Sequence, residues 1–315
     1  MSNLSTLKPY FLKATEEAAI ASAKWRGKGD RKAADAAAVK AMRKVFDDVP
    51  FDGKVAIGEG ERDEAPMLYI GEQLGNEINN PNVPKVDIAV DPLECTNHCA
   101  HDLPDAISVL AAAPKGSLMG APDTYMNKLC GNKALKGHVS LTQSVSENLS
   151  ATAQALNKDV HDLQVIVLDR DRHQDLIADI HSAGANTVLI KDGDVAGGLR
   201  AVEGEVDLLY GIGAAPEGVI TATAVKALDG FFEGQLHFYD AEFEQRASQM
   251  LGDDIHKIWS ADELCTSQDA FFVASGICSG WLPGVKFHDN KAIVSSRVIF
   301  GETGESKLIT NEYDL

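Results

Sequence analysis

Residues 86–97 join an apolar run to a group of oxygen ligands. Segment 86–90 predicts a buried strand. Asp91, Glu94 and Thr96 follow it directly. Carboxylates beside a hydrophobic core are costly unless a cation neutralises them. A hard divalent cation is the natural partner, because such cations prefer oxygen ligands.

Three other acidic segments have a related setting. Asp35 lies about one turn inside a predicted helix, and Glu59 stands between two glycines after a short apolar strand. Glu217 follows the strand candidate at 206–210. Acids at strand ends are typical of ligand sites in open α/β sheets. The alternative is four unrelated solvated turns on an acidic surface, and the shared link to strand ends and helix starts favours a single site.

The donor types predict the metal and the chemistry. An all-oxygen set without histidine suits Mg²⁺ or Mn²⁺ better than zinc. Such ions bridge a substrate phosphate and lower the pKa of a bound water. A helix that begins at 95–97 would add free N–H groups that attract an anion. Together these features predict hydrolysis of a phosphate ester.

The elements that would position these residues alternate along the chain. Two helices are predicted within 11–46, and Asp30 is the expected N-cap of the second. Further helices are predicted at 64–74, 145–157, 172–182, 217–228 and 241–251. Strands are predicted at 54–57, 86–90, 106–112, 163–168, 186–190, 206–210, 270–275, 293–299 and 306–310. The alternation predicts a layered α/β protein. The change in composition at 157–162 is taken as a boundary between two halves, an N-terminal half, 1–158, expected to bind metal and a C-terminal half, 159–315, expected to bind substrate.

Composition excludes several partners. The 315 residues carry a formal net charge of -18, which argues against nucleic acid and anionic membranes. No apolar run reaches membrane-spanning length and no signal sequence is recognisable, so a cytoplasmic protein is expected. Five cysteines without a CxxC pair fit a reducing compartment. Cys95 and Cys99 are interpreted as non-ligands.

Segments 58–72, 86–96 and 211–219 resemble class II fructose-1,6-bisphosphatase, and the likeness extends over nearly the whole chain. Asn97, Cys99-Ala100 and segments 60–64 and 136–139 look most like the cyanobacterial type, whose members also hydrolyse sedoheptulose 1,7-bisphosphate. The resemblance implies the lithium-sensitive, inositol monophosphatase-like sugar phosphatase superfamily, with its α/β/α/β/α sandwich. It also implies a homodimer or homotetramer.

The same resemblance assigns metal and catalytic roles. Asp35 and Glu59 would hold one ion, and a second would be held by Asp91, Glu94 and Glu217. The catalytic residues would be Thr96, which orients the attacking water, and Asp63, which acts through the water or the metal shell. The alternative for Asp63 is a helix N-cap.

The residues that the resemblance assigns to substrate are Glu94, Cys95, Thr96, Tyr125, Arg170, Arg172, Asp192, Gly193, Asp194 and Ala214. The two arginines would hold the phosphate that is not cleaved, and 192–194 would hold sugar hydroxyls. Each has an alternative. The arginines could pair with Asp169 and Asp171, segment 192–194 could be an ordinary turn, and Tyr125 could pack in the core.

Several parts of the chain depart from the resemblance, including His98, residues 101–105 and the region 240–262, and two further departures bear on the site. Cys95 stands where the family usually has glycine, so its side chain could crowd the approach of backbone to phosphate. Arg31 stands where many relatives have lysine. His138 and His173 are interpreted as structural, because nothing near them requires a proton shuttle.

The sequence therefore predicts a Mg²⁺- or Mn²⁺-dependent sugar bisphosphate 1-phosphatase acting on fructose 1,6-bisphosphate. One alternative is an enzyme that also hydrolyses sedoheptulose 1,7-bisphosphate. An inositol monophosphatase is disfavoured, because paired arginines suit a second phosphate. An alternative of another class is a catalytically impaired homologue that only binds sugar phosphate or metal, and Cys95 motivates it.

Overall fold

The computed structural model describes residues 4–58 and 67–315. Its helices are α1 (Lys8–Ala23), α2 (Arg31–Phe46), α3 (Thr96–His101), α4 (Val145–Leu156), α5 (Gln174–Ser182), α6 (Asp194–Val202), α7 (Ala215–Ala227), α8 (Ala241–Leu251) and α9 (Ala261–Leu264). Its strands are β1 (Asp52–Ile57), β2 (Gln73–Leu74), β3 (Lys85–Glu94), β4 (Ile107–Pro114), β5 (Tyr125–Gly131), β6 (Gln164–Leu168), β7 (Asn186–Ile190), β8 (Leu208–Ala214), β9 (Phe231–His237), β10 (Ile258–Ser260), β11 (Phe271–Gly276), β12 (Lys286–His288), β13 (Lys291–Phe300) and β14 (Glu305–Asp314).

Contacts between residues divide the chain into two compact units. The first consists of Met1–Met119 and Thr266–Leu315, and the second of Gly120–Cys265. These boundaries differ from the predicted halves, 1–158 and 159–315. The reason is that β11 pairs with β4 and with β13, so the C-terminal strands extend the sheet that the N-terminal strands begin.

The first unit is built on an eight-stranded sheet, as far as its residues are described. The strand order is β12-β13-β11-β4-β3-β1-β2, and β14 pairs along the length of β13. Strand β3 lies inside this sheet, parallel to β1 and antiparallel to β4. Its apolar residues Val86, Ile88 and Val90 are buried, as a central strand requires.

Helices α1 and α2 pack against each other. Helix α1 also packs against β4, β11 and β13, and α2 packs against β3. Helix α1 turns Phe11, Ala14 and Ala18 towards the sheet at helical spacing. The Phe11 ring packs against the rings of Phe46 and Phe51, at centroid distances of 6.2 and 6.0 Å. This core fixes α2, the helix that carries Asp35, against the strand that carries Asp91 and Glu94.

The second unit is built on a six-stranded sheet in the order β10-β9-β5-β8-β6-β7. Strand β6 is parallel to β7 and β8, and β5 is antiparallel to β8 and β9. One face carries a core cluster that includes Leu149 of α4, Ile180 of α5 and Val165 of β6. Helices α6 and α7 also pack on this sheet. Helix α6 contacts β5, β6 and β8, and α7 contacts β5, β8 and β9. Both units are therefore α/β, which confirms the predicted class.

Most predicted elements are present, but the helix predicted at 64–74 is wrong over its described part. Residues 67–74 form turns and the short strand β2. The backbone of this segment pairs with β1: Val55 N–H donates to the Glu72 carbonyl at 2.9 Å, and Gly71 N–H donates to the Val55 carbonyl at 2.8 Å. Pairing with a neighbouring strand overrides the local apolar pattern.

Three central elements of the second unit were not predicted: β5, β9 and α6. Polar residues interrupt the apolar pattern of both strands, and Gly197-Gly198 disfavours a helix prediction for α6. Those glycines have a packing role, because a Cβ on Gly197 would lie 3.2 Å from Ile166 and Leu209 side-chain atoms. Among the described residues, no helix has the length and apolar character needed to cross a membrane.

Candidate active site

The first part of the site is a bulge at the end of β3. The strand continues past Pro92 to Glu94, and its register with β4 shifts between Asp91 and Glu94. The Leu93 N–H donates to Asp91 Oδ1 at 3.0 Å, which fixes that side chain. Carboxylate oxygens of Asp91 and Glu94 lie within 4.8 Å of each other, and Glu94 is only 4% exposed. Two acids this close, one of them buried, form an oxygen donor set that suits a hard divalent cation.

Cys95 connects this bulge to α3 in a left-handed conformation. Its φ and ψ are 66° and 50°, and α3 begins at the next residue, Thr96. Residues with a Cβ adopt this conformation at a cost, whereas glycine does so readily. From the sequence, the expected effect of Cys95 is crowding near phosphate. The structure adds a backbone reason why glycine suits this position.

We therefore expect Cys95→Gly to raise the free energy of unfolding by about 1 kcal/mol, because relief of the left-handed strain exceeds the added flexibility of the unfolded chain. Urea denaturation measures the change. Cys95→Ala is the matched control, since it removes the sulfur but keeps the Cβ. Equal midpoints for the two variants would show that the backbone conformation at this position costs nothing.

The hydroxyl group of Thr96 is hydrogen-bonded within the bulge. Its Oγ1 donates to the Leu93 carbonyl at 3.1 Å, which directs the hydroxyl proton into the bulge. A hydroxyl oxygen that donates its proton still offers lone pairs as acceptors. The predicted role in orienting a water is compatible with this geometry and stays a prediction.

Helix α2 presents the next predicted ligand. Asp30 caps the helix as predicted, with Oδ1 accepting from Ala33 N–H at 3.0 Å. Asp35 is half-buried, and that burial raises the pKa of its carboxyl group. Arg31 donates from Nη1 to Asn97 Oδ1 at 3.0 Å, so the start of α2 is linked to α3.

Two predicted residues cannot be compared with the structure. Glu59, the expected partner of Asp35, and Asp63, the expected catalytic acid, both lie outside the described residues. Their roles stay predictions.

In the second unit, Glu217 lies in the first turn of α7, directly after Pro216. An acid is electrostatically favoured at this end of a helix. Ala214, the preceding N-cap residue, lies opposite Tyr125 in the pairing of β8 with β5. Two predicted substrate residues are thus neighbours across this sheet.

Arg172 lies against the same strands. Its Nε and Nη2 donate to the Ile212 carbonyl at 3.1 and 2.8 Å, and its guanidinium is 5.1 Å from the centroid of the Tyr125 ring. Tyr125 is half-buried and meets the exposed Tyr239 edge-on, at 4.8 Å. Tyr125 is therefore not a core residue, and Arg172 is held by a backbone carbonyl. Arg170 donates from Nη1 to the carbonyl of Asp169 at 3.1 Å.

Segment 192–194 combines a turn with an ion pair that the sequence did not predict. Gly193 precedes α6, and Asp194 is its first residue. Asp194 Oδ2 is 2.6 Å from Nζ of Lys128, whose side chain is only 1% exposed. The ion pair fixes the Asp194 carboxylate, and the predicted contact of segment 192–194 with sugar hydroxyls stays a prediction.

The Gly211-Ile212-Gly213 motif makes room for these groups. A Cβ on Gly213 would lie 1.9 Å from Asp194 Oδ2 and 3.0 Å from Lys128 Nζ. Gly211 has a φ of 136°, and its Cβ would lie 2.9 Å from Nε2 of His173. The two glycines are thus required by a buried ion pair and by a buried imidazole. Neither partner is apparent from the motif itself.

Comparison with known proteins gives consistent results. The family model described as bacterial fructose-1,6-bisphosphatase, glpX-encoded, matches residues 5–313. A protein of Trichormus variabilis named D-fructose 1,6-bisphosphatase class 2/sedoheptulose 1,7-bisphosphatase is 42% identical, with 97% of this chain and 95% of the relative covered. A protein of the same name from Prochlorococcus marinus is 45% identical, with 93% of this chain and 92% of the relative covered.

Among solved structures, an inositol monophosphatase from Anabaena (Nostoc) sp. matches with a TM-score of 0.35 and 16% identity, covering 66% of this chain and 75% of that one. The family model and the curated relatives span nearly the whole chain and confirm the resemblance found in the sequence. The chain belongs to the family of glpX-encoded bacterial fructose-1,6-bisphosphatases.

Proposed function

We propose that this protein hydrolyses the 1-phosphate of fructose 1,6-bisphosphate, releasing fructose 6-phosphate and inorganic phosphate. The observation that carries the proposal is the close Asp91–Glu94 carboxylate pair at the β3 bulge, in a chain that belongs to this phosphatase family. A donor set of this kind suits the ions that assist phosphate-ester hydrolysis.

The family and the donor set imply divalent metal ions, and we propose Mg²⁺ or Mn²⁺. As the resemblance implies, Asp91, Glu94 and Glu217 would hold one ion, and Asp35 and Glu59 would hold another. When bound, such ions polarise phosphoryl oxygens and lower the pKa of a coordinated water.

The chain's own residues would position the reacting groups. Thr96 keeps its hydroxyl proton on the Leu93 carbonyl, so its oxygen would accept a hydrogen bond from the attacking water and orient it. Asp63 would assist at the same water, as the resemblance implies. Glu94, Cys95 and Thr96 would border the phosphate that is cleaved.

The uncleaved phosphate would bind at Arg172 and Tyr125, with Arg170 nearby in sequence. Two of the five N–H groups of the Arg172 guanidinium donate to the Ile212 carbonyl, and the others would donate to phosphate oxygens. Ala214, Asp192, Gly193 and Asp194 would border the sugar.

Sedoheptulose 1,7-bisphosphate is a second candidate substrate, because curated relatives over 40% identical carry both activities in their names.

We also propose a cytoplasmic homodimer or homotetramer. The five free cysteines suit a reducing compartment, and light scattering would measure the assembly.

A phosphate-release assay tests the proposed function. The purified protein is given either bisphosphate with Mg²⁺, with Mn²⁺, or after chelation. We expect turnover of fructose 1,6-bisphosphate that depends on one of the two ions and is lost on chelation. Binding of this bisphosphate without phosphate release under both ions would contradict an enzyme and favour a catalytically impaired sugar-phosphate-binding homologue.

A further inference from the structure

His173 is a buried histidine whose two ring nitrogens both bond to backbone. It is 1% exposed. Its Nδ1 is 2.7 Å from the Leu168 carbonyl, and its Nε2 is 2.7 Å from the Ile212 nitrogen. A backbone N–H can only donate, so Nε2 is the acceptor and Nδ1 carries the proton. The ring is therefore neutral in this arrangement.

The backbone of Ile212 is held from two sides. His173 accepts from its N–H, and Arg172 donates twice to its carbonyl. Both side chains come from one short helical turn, Asp171–His173, so two neighbouring residues hydrogen-bond to the backbone of the same residue of β8. Arg172 consequently has a fixed anchor from which its guanidinium reaches the Tyr125 ring.

Gly211 keeps this arrangement possible. Its φ of 136° and its contact with the imidazole exclude a side chain at that position, since a Cβ would lie 2.9 Å from Nε2. The histidine therefore contacts the strand backbone directly. Burial is the main reason why the pKa of His173 is lowered, and the charges of Arg172 and Arg170 lower it further. The hydrogen bond to the Leu168 carbonyl and, more weakly, the charge of Asp194 act in the opposite direction.

We infer that His173 is a positioning residue for substrate. It fixes the Ile212 backbone, whose carbonyl orients Arg172, and so places the guanidinium that binds the uncleaved phosphate. This inference rests on the proposed function for the identity of the ligand. The role differs from a purely structural one because it predicts a defect confined to ligands that carry the uncleaved phosphate.

The experiment compares His173→Leu with His173→Gln. The glutamine amide oxygen can accept from the Ile212 N–H in place of Nε2, whereas leucine cannot. We expect His173→Leu to raise KM for fructose 1,6-bisphosphate about tenfold, with kcat within about twofold of the wild type. For fructose 1-phosphate, which lacks the uncleaved phosphate, kcat/KM is expected to stay unchanged. His173→Gln is expected to keep most of the wild-type affinity.

His161→Leu is a control for the loss of an imidazole, because His161, an exposed residue, also bonds a backbone carbonyl in the second unit, that of Gly184, at 2.9 Å. It is expected to leave KM for both substrates unchanged. Equal losses on both substrates in His173→Leu, or the same defect in His173→Gln and His173→Leu, would overturn the inference.

Calorimetric titration with fructose 6-phosphate separates this inference from the proposed function. This ligand carries the uncleaved phosphate, and its binding requires no hydrolysis. We expect His173→Leu to weaken its Kd about tenfold and His173→Gln to retain it. A wild-type protein that binds fructose 6-phosphate but releases no phosphate would overturn only the proposed function. Unchanged affinity for fructose 6-phosphate in His173→Leu would overturn only the role of His173. Failure of the wild type to bind fructose 6-phosphate would also contradict the role of His173.

Discussion

Glu94→Gln is expected to lower metal-dependent phosphate release by on the order of 10³-fold, because the contribution of a bound ion to the barrier is several kcal/mol. Glu94 is buried beside Asp91, and glutamine keeps its size while removing its charge. Steady-state kinetics across a Mn²⁺ titration measures the loss. The ion should also raise the melting temperature of the wild type, and this rise should disappear in the variant.

The same substitution should not destabilise the metal-free protein, since it removes repulsion between two carboxylates. Asp87→Asn is the matched control on the same strand. Asp87 is also buried, but its Oδ2 accepts from the N–H groups of Gly116, Ser117 and Leu118. This control should lower stability without changing the Mn²⁺ midpoint. A Glu94→Gln protein with an unchanged Mn²⁺ midpoint would contradict the proposed ligand role.

The part of the site that the sequence predicted depends on local patterns. The apolar run 86–90 identified β3, and the acids after it identified candidate metal ligands, whereas the bulge that carries them appears only in the structure. The capping role of Asp30 was also readable, because a cap depends on neighbours three residues away. Such features need no knowledge of which strands pair.

The part that the sequence did not predict depends on contacts between distant segments. His173 acts on Ile212 and Lys128 acts on Asp194, across 39 and 66 positions of sequence. Neither contact has a local pattern, because each requires the order of strands in the second sheet. The lysine was further concealed because β5 itself was missed.

The Gly211-Ile212-Gly213 motif shows how the two kinds of information combine. The sequence identified it through the resemblance and placed it after a strand. The structure places both glycines within β8 and supplies the reason for each: an imidazole beside Gly211 and an ion pair beside Gly213. A motif can therefore mark the backbone that accommodates buried partners as well as residues that touch ligand.

The buried Lys128–Asp194 pair leads to the other large prediction. Lys128→Met is expected to lower the free energy of unfolding by about 3–5 kcal/mol, because the Asp194 carboxylate loses its cation in a water-excluded setting. The side chains are 1% and 10% exposed, and their charged atoms are 2.6 Å apart. Urea denaturation of the full chain measures the change.

The chain supplies a matched control, because Lys136 and Asp229 form an ion pair at the same 2.6 Å separation with side chains 47% and 75% exposed. Lys136→Met should cost less than about 1 kcal/mol, since solvent screens exposed pairs. The double variant Lys128→Met/Asp194→Asn should recover much of the loss, because no unpaired charge remains. If Lys128→Met lowers the free energy of unfolding no more than Lys136→Met does, burial does not strengthen the Lys128–Asp194 pair.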